Sequence, residues 1–247
     1  MSGHNKWSSI KHKKGAMDAK RGKIFTKLIK EITIAAKQAG GNADMNPRLR
    51  AAISSAKSSN MPASNIEKAI KKGTGELEGV SYEEATYEGY GQGGVAIIVE
   101  TLSDNKKRTV AEVRHIFSKY GGNLAENGSV SWNFETLGLI VLQTDADEDT
   151  LMMQALDAGA IDVVNEDGLF EVYTQAKDLH SVMDELEKQN YKIKSADLTR
   201  KPKSLVKADD VAQKLLVLLD KLEDSDDVQR VYANYDISDE VLEGLTS

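Results

Sequence analysis

The sequence has no cysteine in its 247 residues. That absence excludes disulfides, thiolate metal centres and a thiol nucleophile, and it fits a reducing compartment. No apolar run approaches the ~20 residues that a membrane span needs. The first residues, Met1-Ser-Gly-His-Asn-Lys-Trp7, lack the apolar core of a secretory signal. A cytoplasmic protein without a membrane partner is therefore expected. The four histidines, His4, His12, His115 and His180, are scattered, and no two have metal-ligand spacing. His115 and His180 read as ordinary helix residues. No Ser or Thr has a recognisable nucleophile setting, and no repeat of solenoid period is present. The expectation is a non-enzyme with no metal, cofactor or small-molecule substrate, although carboxylates that pair only in space escape a reading of this kind.

What the chain does have is segregated charge. Residues 1–73 carry 16 Lys and Arg against 4 Asp and Glu, and the remainder carries 16 against 35, which together give the net −7. A basic third attached to an acidic body is the electrostatic footprint of a polyanion-binding protein, and nucleic acid is the obvious partner. The alternative is a basic surface that docks on the protein's own acidic part. The densest stretch is Lys6-Trp-Ser-Ser-Ile-Lys-His-Lys-Lys14, followed by Lys20-Arg-Gly-Lys23.

Helical periodicity begins near Met17 and runs to Ala39, with Ile24, Phe25, Leu28, Ile29, Ile32, Ala35 and Ala36 on one face. Lys20, Lys23, Lys27, Lys30 and Lys37 fall within about 100° of arc on the opposite side, and Arg21 falls off that arc toward the apolar side. A second helix is predicted over Asn46–Ser58. A third follows the capping-box spacing Ser64-Asn-Ile-Glu67 and stops at Gly73, with Lys68, Lys71 and Lys72 at i, i+3 and i+4. Lysines of this kind act as point charges on phosphate and position without reading sequence. Trp7 and His12 are suited to stacking on unpaired bases, and Asn5 to bonding a base edge. Trp7 is equally suited to anchoring the leader on the bundle.

Beyond Gly79 the pattern turns to strands at 82–88 and 95–102, joined by Gly89-Tyr-Gly-Gln-Gly-Gly94. That run superficially resembles a dinucleotide loop, but it lies between two strands and opens no helix, so it reads as a turn. A helix at 106–120 and a strand at 129–134 follow. Residues 136–199 give the order β-α-β-β-α-β of a ferredoxin-like unit. Asp145-Ala-Asp-Glu-Asp149 reads as N-terminal charge for the first of its helices rather than a cation site. A helix at 209–223 and a strand at 228–233 have no domain of their own. The expected architecture is therefore α+β, a three-helix bundle plus two α/β-sandwich, ferredoxin-like domains, one inserted in the other: a basic tail and bundle at 1–75, a discontinuous middle α/β domain at 76–134 plus 201–247, and an inserted βαββαβ domain at 135–200.

Long segments make the chain similar to the YebC/PmpR family: Gly3-His-Asn-Lys-Trp-Ser-Ser-Ile-Lys-His12, Asp18–Ile29, Asn60–Gly73, Tyr87-Glu-Gly-Tyr-Gly91, Thr109–His115 and Asp226–Tyr232. Ser64, Gln92 and Thr101 stand where the family more commonly has Asp, Pro and Cys. The resemblance implies a helical N-terminal domain followed by two α/β domains, without catalytic residues. It also implies a regulator of gene expression. Bacterial members are described as DNA-binding transcriptional regulators, and a mitochondrial relative as a translational activator, so either DNA or ribosomal RNA is the expected partner. The expected contact residues are Lys6, Trp7, Lys11, His12, Lys13, Lys14, Lys20, Arg21, Lys23, Lys27, Lys30, Lys68, Lys71 and Lys72.

Overall fold

The structure is a computed structural model that describes residues 17–166 and 169–246, without the side chains of 17–20, Glu166 and Thr246. Three helices come first: α1 (Met17–Ala39), α2 (Pro47–Ser58) and α3 (Ala63–Thr74). Their apolar stripes meet in one core of Ile32, Ala35, Ala36, Leu49, Ala52, Ala56, Met61, Ile66 and Ala69. Asn46 joins two helix ends. Its side-chain oxygen accepts from the Leu49 N–H at 3.1 Å, and its amide donates to the Ala35 and Gly40 carbonyls at 2.8 and 2.9 Å. Donors at the start of α2 and acceptors at the end of α1 are thus satisfied by one buried residue.

Two expectations for α3 are corrected. Ser64 and Glu67 form no capping box, because the helix begins earlier, after Pro62, with Ser64 already in its first turn. Gly73 does not end the helix; Gly75 does, at φ +83°. Gly73 is instead where α3 touches α1, since a Cβ there would stand 2.4 Å from the Thr33 carbonyl oxygen and 2.7 Å from the Ala36 Cβ.

The middle module contains β1 (Glu83–Tyr90), β2 (Ala96–Ser103), α4 (Lys106–Lys119) and β3 (Asn123–Leu124). After the insertion it resumes with β8 (Val206–Lys207), α7 (Ala212–Glu223), β9 (Val228–Ala233), β10 (Tyr235–Asp236) and α8 (Asp239–Thr246). Its four-stranded sheet has the order β3-β1-β2-β9, so the returning segment adds the strand beside β2. Val95, Ile97 and Val99 pack against Val113 and Phe117 of α4 and Leu215, Leu218, Leu219 and Leu222 of α7. Residues 92–94 between β1 and β2 form a short 3-10 turn.

The strand expected over 129–134 is absent. Residues 131–133 form a 3-10 turn, and the strand that follows starts at Phe134. The cause is Glu88, buried on β1. Its carboxylate accepts from the Gly128, Val130 and Ser131 backbone N–H groups at 2.8, 2.7 and 2.9 Å, which occupies the donors a strand ladder would need.

The inserted unit spans Phe134–Lys201 and is a separate compact body; the remaining chain forms the other. It runs β4 (Phe134–Gln143), α5 (Glu148–Asp157), β5 (Asp162–Glu166), β6 (Leu169–Gln175), α6 (Leu179–Lys188) and β7 (Ile193–Pro202). The strand order β5-β6-β4-β7 is that of a ferredoxin-like sheet. Ile140, Leu142, Phe170 and Val172 pack under Leu151, Ala155, Val182 and Leu186 of the two helices. The middle domain, also expected to be ferredoxin-like, packs α4 and α7 on its sheet, but its strand order β3-β1-β2-β9 is not the ferredoxin-like one. Asp147 caps α5, accepting from the Thr150 N–H at 3.0 Å, as its acidic run implied. No described helix is long and apolar enough to cross a membrane.

Candidate nucleic-acid interface

The bundle's cations divide into two sets with different fates. The first set lies on α1. Lys30 is buried at 7% exposure. Its ammonium donates to Asp227 Oδ1 at 2.7 Å, to the Asp226 carbonyl at 2.8 Å and to the Leu102 carbonyl at 3.3 Å, and it stands 5.7 Å from the Tyr82 ring centroid. Lys27 donates to the Glu223 carbonyl at 2.6 Å, and Lys23 to the Asp224 carbonyl at 2.9 Å. Glu223 and Asp224 end α7, where backbone carbonyls lack intrahelical donors and the helix dipole is negative. Two lysines of one helix therefore cap the C-terminus of another. Burial pulls Lys27 below the ordinary lysine value, against the attraction of Glu223, Asp224 and Asp226. Lys37 reaches the Ser81 hydroxyl at 2.6 Å.

This is a correction to the expected phosphate-binding stripe on α1. Lys30 has no ammonium to offer, and Lys23 and Lys27 are engaged within the protein. The arc opposite the apolar stripe docks the bundle on the middle module. Arg21 is exposed. Lys20 lies in α1, but its side chain is outside the described residues, as are Asn5, Lys6, Trp7, Lys11, His12, Lys13 and Lys14.

At the centre of the dock, Asp227 accepts Lys30 on one oxygen and three donors on the other: Thr109 Oγ1 at 2.7 Å, Arg108 at 2.8 Å and Ser103 Oγ at 3.1 Å. Burial pushes its pKa up, but the bonds from Arg108, Lys30 and Thr109 win and hold it well below the usual carboxylate range. Arg108, which also binds Asp104 at 2.7 Å, is raised in turn by its bonds to Asp227 and Asp104. At the rim, Arg48 joins Glu31 of its own bundle at 2.7 Å to Glu84 of β1 at 2.6 Å. Asp227 was legible only as part of the Asp226–Tyr232 similarity. Its role needs four partners that are distant in sequence.

The second set lies on α2 and α3. Lys68, Lys71 and Lys72 are exposed, as are Arg50 and Lys57, and none has a carboxylate partner among the described residues. Lys71 and Lys72 occupy the last turn of α3, where they complement the helix dipole while their ammonium groups remain in water. Arg50 and Lys57 were not expected. They are seven residues apart on α2 and so share one face, a periodicity visible in the sequence. Among the described residues no group of three or more His, Asp or Glu is placed to hold a metal ion. His115 and His180 lie on α4 and α6.

Comparison with known proteins covers nearly the whole chain. Residues 5–76 match the TACO1/YebC protein N-terminal domain, and residues 82–235 the TACO1/YebC second and third domain. A protein of Geobacter sulfurreducens named "Probable transcriptional regulatory protein" is 59% identical over 99% of this chain and 100% of its own. A relative of the same name from Persephonella marina is 56% identical over 100% of both. The crystal structure of a conserved hypothetical protein from Aquifex aeolicus is 47% identical and superposes with a TM-score of 0.85 over 92% of this chain and 95% of that one. With both of its family segments matched and its fold shared with a solved relative, the chain belongs to the TACO1/YebC family.

Proposed function

We propose that the chain is a non-enzymatic regulator of gene expression that binds nucleic acid, duplex DNA in the first instance, through the cations its bundle leaves open. The observation that carries this reading is the second set: Lys68, Lys71 and Lys72, with Arg50 and Lys57, exposed on two helices without carboxylate partners among the described residues. Uncompensated surface cations on a unit whose net charge is positive attract phosphate and release its counterions. The names of the relatives support a role in transcription. The leader adds Lys6, Lys11, Lys13 and Lys14 to the positive charge of the N-terminal third. The rest of the chain, with 16 Lys and Arg against 35 Asp and Glu, repels a polyanion by its charge.

The test is a salt titration of binding to a promoter fragment, a random duplex and ribosomal RNA. A promoter regulator binds its own site at least about a thousandfold more tightly than random duplex. Equal binding to both duplexes, with co-sedimentation on ribosomes, would transfer the function to ribosomal RNA. Binding to none of the three at physiological salt overturns the reading.

A further inference from the structure

The solvent face of α5 is unusual for a surface helix. Leu151 and Ala155 point into the core. The opposite side of the helix, by its 100° per residue, carries Asp149, Met153, Leu156 and Asp157. Met153 is 62% exposed and Leu156 47%. A solvated helix face is ordinarily polar throughout, and this one sets two large apolar side chains between two carboxylates. Asp149 and Asp157 are exposed, and neither has a cationic partner among the described residues. Asp147, by contrast, caps the helix, and Asp162 pairs with Lys201 at 2.6 Å. The wider segment has the same bias: between Lys119 and Lys177 the chain holds eleven Asp and Glu and no Lys, Arg or His.

We propose that this face is a docking surface for a partner protein's amphipathic helix, one that is rich in Lys or Arg and carries apolar anchors at helical spacing. Charge complementarity selects the occupant. A surface with carboxylates and no cations repels nucleic acid and anionic lipid, so neither fits. Met153 and Leu156, three residues apart, form one apolar ridge that a partner helix can straddle with residues at its own i and i+3 or i+4. Asp149 and Asp157 flank that ridge, where basic residues bordering the partner's apolar stripe would reach them. Methionine suits such a surface because its unbranched, polarizable side chain adapts to the shape presented. α5 is ten residues long, about 15 Å, which matches a partner segment of similar length. This site lies outside the bundle and does not depend on how the bundle binds.

The probe is a fluorescein-labelled 14-residue leucine–lysine amphipathic helix, titrated into the full chain by anisotropy and mapped by amide exchange. The expected result is protection of residues 148–157 and saturable binding that weakens as salt rises. Met153→Ser with Leu156→Ser should weaken it about tenfold or more, as loss of the central anchors of an interface does. Asp149→Asn with Asp157→Asn should flatten the salt dependence. All four side chains are exposed, so unchanged thermal unfolding certifies the folded variants. The proposal is overturned by any of three results: an all-lysine peptide binding as tightly as the amphipathic one, affinity indifferent to the serine variant, or protection that falls elsewhere. Concentration-dependent self-association that protects α5 would likewise overturn it, by assigning the face to a second copy of the chain.

Discussion

The lysines of α1 and those of α3 look alike in the sequence, with similar spacing and an apolar stripe on the other side, yet the fold gives them opposite uses. On α1, Lys23, Lys27 and Lys30 are spent on the carbonyls at the end of α7 and on Asp227. On α3, Lys68, Lys71 and Lys72 stay in water. The difference shows that a basic stripe is evidence of an anion and not of a foreign one. The C-terminus of a helix, together with one buried carboxylate, is enough of an anion to occupy three ammonium groups. The docking reading of the basic third holds for α1, and the lysines of α3 are the ones left open for the proposed polyanion.

Four measurements would break or sharpen this contrast. The largest effect is expected at the dock. Asp227→Ala leaves the buried Lys30 without its carboxylate and should cost about 3–5 kcal/mol in denaturant unfolding. A loss near zero would mean that α1 is not held there. At the second buried carboxylate, Glu88→Gln sets an amide against three N–H donors and should cost about 1–3 kcal/mol at neutral pH. Burial raises the Glu88 carboxyl, but the backbone donors of Gly128, Val130 and Ser131 outweigh it, so its folded pKa lies below the ordinary value. Its contribution is therefore complete above the unfolded value of about 4.3 and is lost as pH falls through the folded value. The gap between wild type and Glu88→Gln should narrow on acidification, and a constant gap would assign the loss to packing.

The open set is tested by Lys68→Glu, Lys71→Glu and Lys72→Glu together. We expect about tenfold weaker binding to every sequence and a salt slope lowered by roughly 0.7–0.9 per lost phosphate contact. Lys30→Met should leave that slope unchanged while lowering stability. If the two variants exchange these effects, the division of the cations fails. The smallest effect is expected from Arg48→Ala. Its bonds to Glu31 and Glu84 are half exposed, so a change of about 1 kcal/mol or less is predicted, shrinking at high salt.

Most of the architecture was legible because periodicity reports burial locally. The α1 apolar stripe, the βαββαβ order of the insertion and the helix expected over 209–223, α-helical from Ala212 after a 3-10 turn at 209–211, all follow from spacing in a short window. The misses lie where a distant partner overrides a local signal. Residues 129–134 have strand-like composition, yet Glu88, about forty positions away, claims their N–H groups. Gly73 looks like a stop because glycine often ends helices, but here it is the point where α3 meets α1. The Ser64–Glu67 box is a valid cap signal overtaken by a helix that begins after Pro62.

The sequence by itself determined the charge segregation, the α+β class and which lysines share a helix face, since each depends only on composition and on the period of the backbone. Tertiary structure decided which of those faces meets solvent. That choice turned on Asp227 and the carbonyls of Glu223, Asp224 and Asp226, nearly two hundred residues from the lysines they hold. A pairing of that kind depends on chain paths converging in space, and no window of sequence contains both partners.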